Sequence, residues 1–190
     1  CGVMTCVGAA LNTAHVKPGS RVAVFGCGGV GLSIIQGARL AGAAQIIGVD
    51  LADNKLEMAK SFGATHVVNG SDGLAVLKVK ELTSGEGADY TFEAVGLPKL
   101  MVEANAAARR GGVVTVVGVG RLTDVVPFNG LLLSMEGKTI KGSFYGDANV
   151  RADFPKLLDL YRAGKLNLDD MVTNTYSIDE APQAIEDLKK

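Results

Sequence analysis

Three glycines and one carboxylate carry the clearest chemical signal in this chain. Gly26, Gly28 and Gly31 follow the apolar run Val22-Ala-Val-Phe25 and open onto a helix-compatible segment. That order matches strand, tight turn and helix N-terminus, an arrangement that binds a dinucleotide pyrophosphate. Gly26 permits the sharp turn, Gly28 lets backbone approach a phosphate without an intervening Cβ, and Gly31 allows close helix packing. The helix start adds unpaired N–H groups and partial positive charge. About twenty residues further on, Ala44-Gln-Ile-Ile-Gly-Val-Asp50 reads as a second apolar strand ending in an acid. A carboxylate there accepts hydrogen bonds from both ribose hydroxyls and repels a 2′-phosphate, so Asp50 favours NAD over NADP. The competing reading makes the glycines an ordinary turn and Asp50 a helix cap. Strand, loop, helix, strand and acid in register favour the first.

Those residues need a scaffold that presents them together. After Lys17-Pro-Gly-Ser20, a turn, strands and helices alternate. The pattern predicts strands near residues 21–26, 45–50, 65–69, 88–93, 112–118 and 138–144. It predicts helices near 30–42, 53–62, 72–83, 98–110, 152–163 and 178–189, and residues 3–15 have mixed helical spacing. The expected fold is α/β: a Rossmann-type, doubly wound, six-stranded parallel sheet with helices on both faces and strand order 3-2-1-4-5-6. Ser177-x-x-Glu180 is a capping-box pattern, and Pro182 is tolerable within a first helical turn. The expected organisation is an incoming helix and linker over 1–20, a coenzyme-binding unit over 21–146, and return helices over 147–190.

Composition narrows the function classes. With 190 residues, 47% of them hydrophobic, the chain can bury one substantial core. A net charge of -1 with dispersed Lys and Arg gives no footprint for nucleic acid. Apolar stretches are short and broken, so no membrane span is expected. Three cysteines without paired spacing suggest a reducing, cytoplasmic setting rather than a disulfide framework. The chain opens on Cys1 inside an apolar, glycine-bearing segment, which suggests a piece of a longer protein.

Several ordered motifs are more specific than the glycine loop. Cys1-Gly-Val-Met-Thr5, Val24-Phe-Gly-Cys-Gly-Gly-Val-Gly-Leu-Ser33 and Ile47-Gly-Val-Asp50 resemble the zinc-type medium-chain dehydrogenases, the alcohol dehydrogenase family. So do Gly63-Ala-Thr-His-Val-Val-Asn69, Phe92-Glu-Ala-Val-Gly96, Val116-Val-Gly-Val119 and Lys141-Gly-Ser-Phe-Tyr-Gly146. The resemblance implies that Gly26, Gly28, Gly29, Val30 and Gly31 line the pyrophosphate and nicotinamide side of NAD. It implies that Asp50 and Lys55 lie at the adenosine ribose and that Ala94, Val95 and Gly96 border the crevice. Val117, Gly118, Val119, Ser143 and Tyr145 would face the nicotinamide, and Thr5 would approach its ring. Read without the family, Val95, Val117 and Val119 are simply buried strand ends.

By the same resemblance, Cys1 matches one thiolate ligand of a catalytic zinc. A zinc site of this kind needs a histidine and another thiolate or carboxylate, with one position open. Cys6 and Cys27 read as small buried apolar residues, His15 as a helix-end or surface residue, and His66 as a strand start. The implied parent is a zinc-dependent alcohol dehydrogenase transferring hydride between an alcohol or aldehyde and NAD, with its catalytic domain missing here. This chain alone is then expected to bind NAD without turnover. Two alternatives stay open: a zinc-free quinone or enoyl reductase-like member, and a non-catalytic dinucleotide-binding module. Val125-Val-Pro-Phe-Asn-Gly-Leu-Leu-Leu-Ser134 reads equally as a short core helix or as part of a homo-oligomer interface beside an edge strand.

Overall fold

The computed structural model describes residues 2–187. Strands β1 (Arg21–Phe25), β2 (Gln45–Asp50), β3 (His66–Asn69), β4 (Ala88–Glu93), β5 (Ala108–Val116) and β6 (Thr139–Gly142) form one sheet in the order β3-β2-β1-β4-β5-β6. Every adjacent pair is parallel. Both faces of β1 are buried, which explains its unbroken apolar run. Val22 and Val24 point into one core with Ile34, Ile35, Ile46 and Phe92. Ala23 and Phe25 point into the other with Ile47, Val49, Val79 and Ala104. The alternation is that of a strand sandwiched between helical layers.

The helices are α1 (Gly2–Gly8), α2 (Gly29–Leu40), α3 (Asp53–Ser61), α4 (Ala75–Leu82), α5 (Pro98–Ala107), α6 (Gly130–Glu136), α7 (Val150–Arg162) and α8 (Ala181–Asp187). The segment expected to be helical over 3–15 is α1 followed by a π-helical turn, Ala9–Thr13, closed by Ala14 N–H donating to the Ala9 carbonyl at 2.9 Å. Helix α4 starts at Ala75 rather than near 72, because Gly73 turns left-handed and Asp72 accepts from the Leu74 amide.

The helix expected over 98–110 stops at Ala107, and β5 begins at Ala108 instead of 112. Ala106, Ala107, Ala108, Arg109 and Arg110 all favour helix by propensity. Tertiary contacts override that preference: Arg109 Nε bonds Asp89 Oδ1 at 2.6 Å, and Ala108 lies in register with Ala88. At the other end β5 closes at Val116, so Val117 and Gly118 belong to the following loop.

The stretch expected to be a core helix or an interface is helix α6, but none of its residues is buried. A core role for Leu131, Leu132 and Leu133 is therefore excluded. The capping box is present at Ser177, where Glu180 Oε2 accepts from the Ser177 amide at 2.9 Å. It opens a 3₁₀ turn, Ile178–Glu180, before α8, and the rest of the helix expected to reach 189 lies outside the described residues. Beyond α7 the chain is pinned to α2. Gln36, wholly buried, donates to the Asn167 carbonyl at 2.9 Å and accepts from the Asn167 amide at 2.7 Å. Among the described residues, no helix is long and apolar enough to cross a membrane.

Candidate functional site

The glycine loop joins β1 to α2 at the end of the sheet where strand order reverses, between β1's neighbours β2 and β4. Its three glycines are required for different reasons. Gly26 has φ +96°, and a Cβ there would lie 2.4 Å from Val95 Cγ2. A Cβ on Gly31 would lie 1.8 Å from the Gly26 carbonyl oxygen, so this glycine lets the helix close on the turn itself more than on the strands. Gly28, the N-cap of α2, has nothing within 4 Å of its would-be Cβ. Among the described residues, no contact demands glycine there. The open space at a helix N-terminus is what an approaching phosphate needs.

Asp50 ends β2 directly beside this loop. Its Oδ2 accepts from the Cys27 amide at 2.7 Å, and its Oδ1 accepts from the amides of Leu51 and Ala52 at 2.8 and 3.1 Å. The carboxylate thus organises both the glycine turn and the start of the next helix, and it retains lone pairs for a further donor. The cap reading of Asp50 is partly right, since it accepts from residues just before α3. Gly26, Asp50, Lys55 and Val95 line one cleft of about 440 Å³. Leu51, Leu97, Lys99 and Leu100 also line it. Sequence reasoning missed these, because they are single residues on turns and first helical turns without a motif of their own.

A second cleft, about 530 Å³, lies past the start of α2 and is lined by Gly29, Val30, Ser33 and Tyr145 with the apolar Val3, Met4 and Phe154. Thr5 sits half-buried on α1, beneath the turn that carries Tyr145. Ser143 follows β6, and its hydroxyl lies 2.9 Å from that of Thr13.

The loops after β4 and β5 meet glycine against glycine. A Cβ on Gly118 would lie 2.1 Å from the Gly96 nitrogen, and one on Gly96 would lie 2.4 Å from the Val119 carbonyl. Ala94 N–H donates to the Phe25 carbonyl at 2.9 Å, and Val117 N–H to the Glu93 carbonyl at 2.9 Å. Val117 is buried, as a strand-end reading expects. Val95 and Val119 are not, at 47% and 92% exposure, so that plain reading fails for both. Glu93 was overlooked in the sequence. Its side chain is wholly buried, and Oε1 accepts from the amides of Val95, Gly96 and Leu97 at 3.0, 2.7 and 3.3 Å. Its Oε2 is buried with no hydrogen-bond partner among the described residues. A glutamate closing a strand, directly ahead of the small and apolar Ala94-Val-Gly96, was the available signal.

Burial pushes the Cys27 thiol up to about 12, with the Asp50 carboxylate adding to the effect, and burial likewise raises Cys6 to about 12. Both are protonated, inert core residues at neutral pH. His15 lies exposed just past the π turn and His66 exposed at the first position of β3. No group of three or more His, Cys, Asp or Glu among the described residues could hold a metal, so these residues do not fit a zinc site. Cys1 lies outside the described residues.

Residues 29–163 match the family described as zinc-binding dehydrogenase. The chain belongs to this family. It is 44% identical over 191 residues to an alcohol dehydrogenase class-3 from Cereibacter sphaeroides, covering 95% of this chain and 50% of the relative. It is 41% identical over 190 residues to an S-(hydroxymethyl)glutathione dehydrogenase from Paracoccus denitrificans, covering 95% and 50%. The solved benzyl alcohol dehydrogenase from Acinetobacter calcoaceticus matches with a TM-score of 0.94 at 35% identity, over 100% of this chain and 52% of that one. A zinc-binding dehydrogenase from Sinorhizobium meliloti 1021, solved bound to NADP, matches with a TM-score of 0.89 at 29% identity, covering 97% and 54%. The chain thus spans about half the length of the relatives it matches and corresponds to their coenzyme-binding domain. None of these relatives is named as a quinone or enoyl reductase.

Proposed function

We propose that this chain is the NAD-binding part of an alcohol dehydrogenase whose whole protein transfers hydride between an alcohol or aldehyde and NAD. The observation that carries the reading is the pairing of Asp50 with the Gly28 opening. An acid closes β2 at one cleft, while the helix start beside it holds space at Gly28 that no side chain among the described residues fills. Gly26, Gly28, Gly29, Val30 and Gly31 would receive the pyrophosphate, Asp50 and Lys55 the adenosine ribose, and Ala94, Val95 and Gly96 the crevice wall. Val117, Gly118, Val119, Thr5, Ser143 and Tyr145 would border the nicotinamide. When bound, NAD supplies the acceptor for the hydride; the chain's own residues bind it, orient it and exclude water from one side.

In this reading residues 1–20 lead in from a catalytic domain, 21–146 form the coenzyme-binding unit, and 147–190 return toward that domain. Cys1 is the chain's contribution to a zinc site completed elsewhere. The exposed α6 and edge strand β6 support homo-oligomerisation, and the buried thiols suit a reducing cytoplasm.

Titration of the 190-residue chain with NADH, NADPH and ADP-ribose, beside an alcohol oxidation assay, tests the proposal. NADH and ADP-ribose should bind, NADPH should bind several-fold more weakly, and turnover should be absent. A preference for NADPH would remove the role given to Asp50. Robust turnover would show that the catalytic groups are already here.

A further inference from the structure

The turn after β6 is held in an unusual backbone state. Tyr145, Gly146 and Asp147 have φ of 54°, 66° and 45°, three consecutive left-handed residues of which two carry side chains. Non-glycine residues persist there only where surrounding contacts over-determine the conformation. The contacts are present. A Cβ on Gly146 would lie 2.7 Å from the carbonyls of both Met4 and Thr5, and one on Gly8 would lie 2.5 Å from the Gly146 carbonyl. Turn and helix α1 therefore touch backbone to backbone. Asn12 Nδ2 donates to the Gly146 carbonyl at 3.1 Å, and Lys141 Nζ donates to the Thr13 carbonyl at 3.0 Å.

Thr13 is the centre of this contact. The π turn at Ala9–Thr13 presents its buried hydroxyl to Asp147 Oδ2 at 2.7 Å and to Ser143 Oγ at 2.9 Å. An ionised carboxylate only accepts, so the single Thr13 proton goes to Asp147. The Ser143 hydroxyl must then donate to Thr13, and the chain runs Ser143 to Thr13 to Asp147. One hydroxyl thereby fixes both sides of the turn that aims Tyr145 into the cleft shared with Gly29 and Val30.

We propose that Thr13 and Asp147 are positioning residues that lock the Tyr145–Asp147 turn and so set affinity for the nicotinamide half of the coenzyme. This rests on the coenzyme reading above. With the adenosine ribose on Asp50 and the pyrophosphate at Gly28, the cleft past α2 is left for the nicotinamide end. The adenosine end does not touch the Thr13 network, so the two halves of the ligand should respond differently.

The test compares NADH with ADP-ribose, which lacks the nicotinamide, by calorimetric titration of the full 190-residue chain. Thr13→Val removes the hydroxyl and keeps the shape. Asp147→Gly removes the carboxylate and also relieves the left-handed strain, so loss of affinity there reports the tether rather than the backbone. Both should weaken NADH about fivefold, the scale of one hydrogen bond, and leave ADP-ribose within about twofold. Thr13→Ser, which retains the hydroxyl, should restore wild-type affinity for NADH. Equal losses for both ligands, or no loss in either variant, would overturn the positioning role while leaving the coenzyme reading intact. A wild-type chain that binds neither ligand would overturn both.

Discussion

The Asp50 carboxylate holds the Cys27 amide at 2.7 Å, so the acid that closes β2 also fastens the turn that opens α2. Ribose recognition and loop geometry are therefore joined in one side chain. An acid serving only as a ligand contact could be exchanged without cost to the empty protein, whereas this one cannot.

Replacing Asp50 should accordingly show two effects. Asp50→Ala leaves the amides of Cys27, Leu51 and Ala52 without their acceptor. NADH affinity should fall by about tenfold or more, on the scale of a charge-assisted hydrogen bond. NADPH affinity should fall less, because repulsion of the 2′-phosphate is lost at the same time. Coenzyme titrations give the ratio directly. An unchanged NADH-to-NADPH ratio would refute the assignment.

The glycines separate cleanly by substitution. Gly31→Ala drives a Cβ onto the Gly26 carbonyl and should lower Tm sharply or prevent folding. Gly28→Ala meets open space, so its Tm should stay near wild type while NADH affinity drops steeply. Thermal melts paired with titrations check both. A Gly28→Ala chain that binds NADH normally would remove the phosphate from this opening.

Glu93 should prove to be a structural anchor of the crevice. Glu93→Ala removes the buried acceptor of three amides, at a cost of about 1–3 kcal/mol. Glu93→Gln retains an acceptor for the same amides and should lose less. Urea unfolding measures both. Equal stability of the two variants would show that the acceptor oxygen is unimportant.

Acid sensitivity should centre on Asp89. Burial pushes its carboxyl pKa up, but the Arg21 amide and the Arg109 guanidinium outweigh this and hold it below its ordinary value. A depressed carboxyl pKa contributes stability above its unfolded value of about 4 and loses it as pH falls through the lower folded value. Asp89→Asn should be less stable at neutral pH and show a flatter acid limb in urea midpoints. An acid limb as steep as wild type would place the sensitivity elsewhere.

Much of the fold was legible because the local signals agree with one another. The apolar runs of β1 and β2 are long enough to need both faces covered, and the glycine spacing admits one geometry between strand and helix. Boundaries failed where a distant contact decided them. Arg109 leaves a helical pattern to reach Asp89, an event invisible in its own neighbours. In the site, Asp50 and Gly28 carry local signatures. Glu93 acts on amides two to four residues ahead of it, through a burial that the types of its neighbours do not announce, whereas Thr13 and Asp147 pair across more than a hundred positions. Spacing cannot announce such a pairing.

β1 alone is bonded to both β2 and β4, so the two wings of the sheet share a single seam. Assembly on either side must wait for that seam, and each crossover brings together sequence-distant segments, a topology that folds slowly. A chain severed between β3 and β4 would strand the later wing without its template. The halves should regain their shape only when mixed.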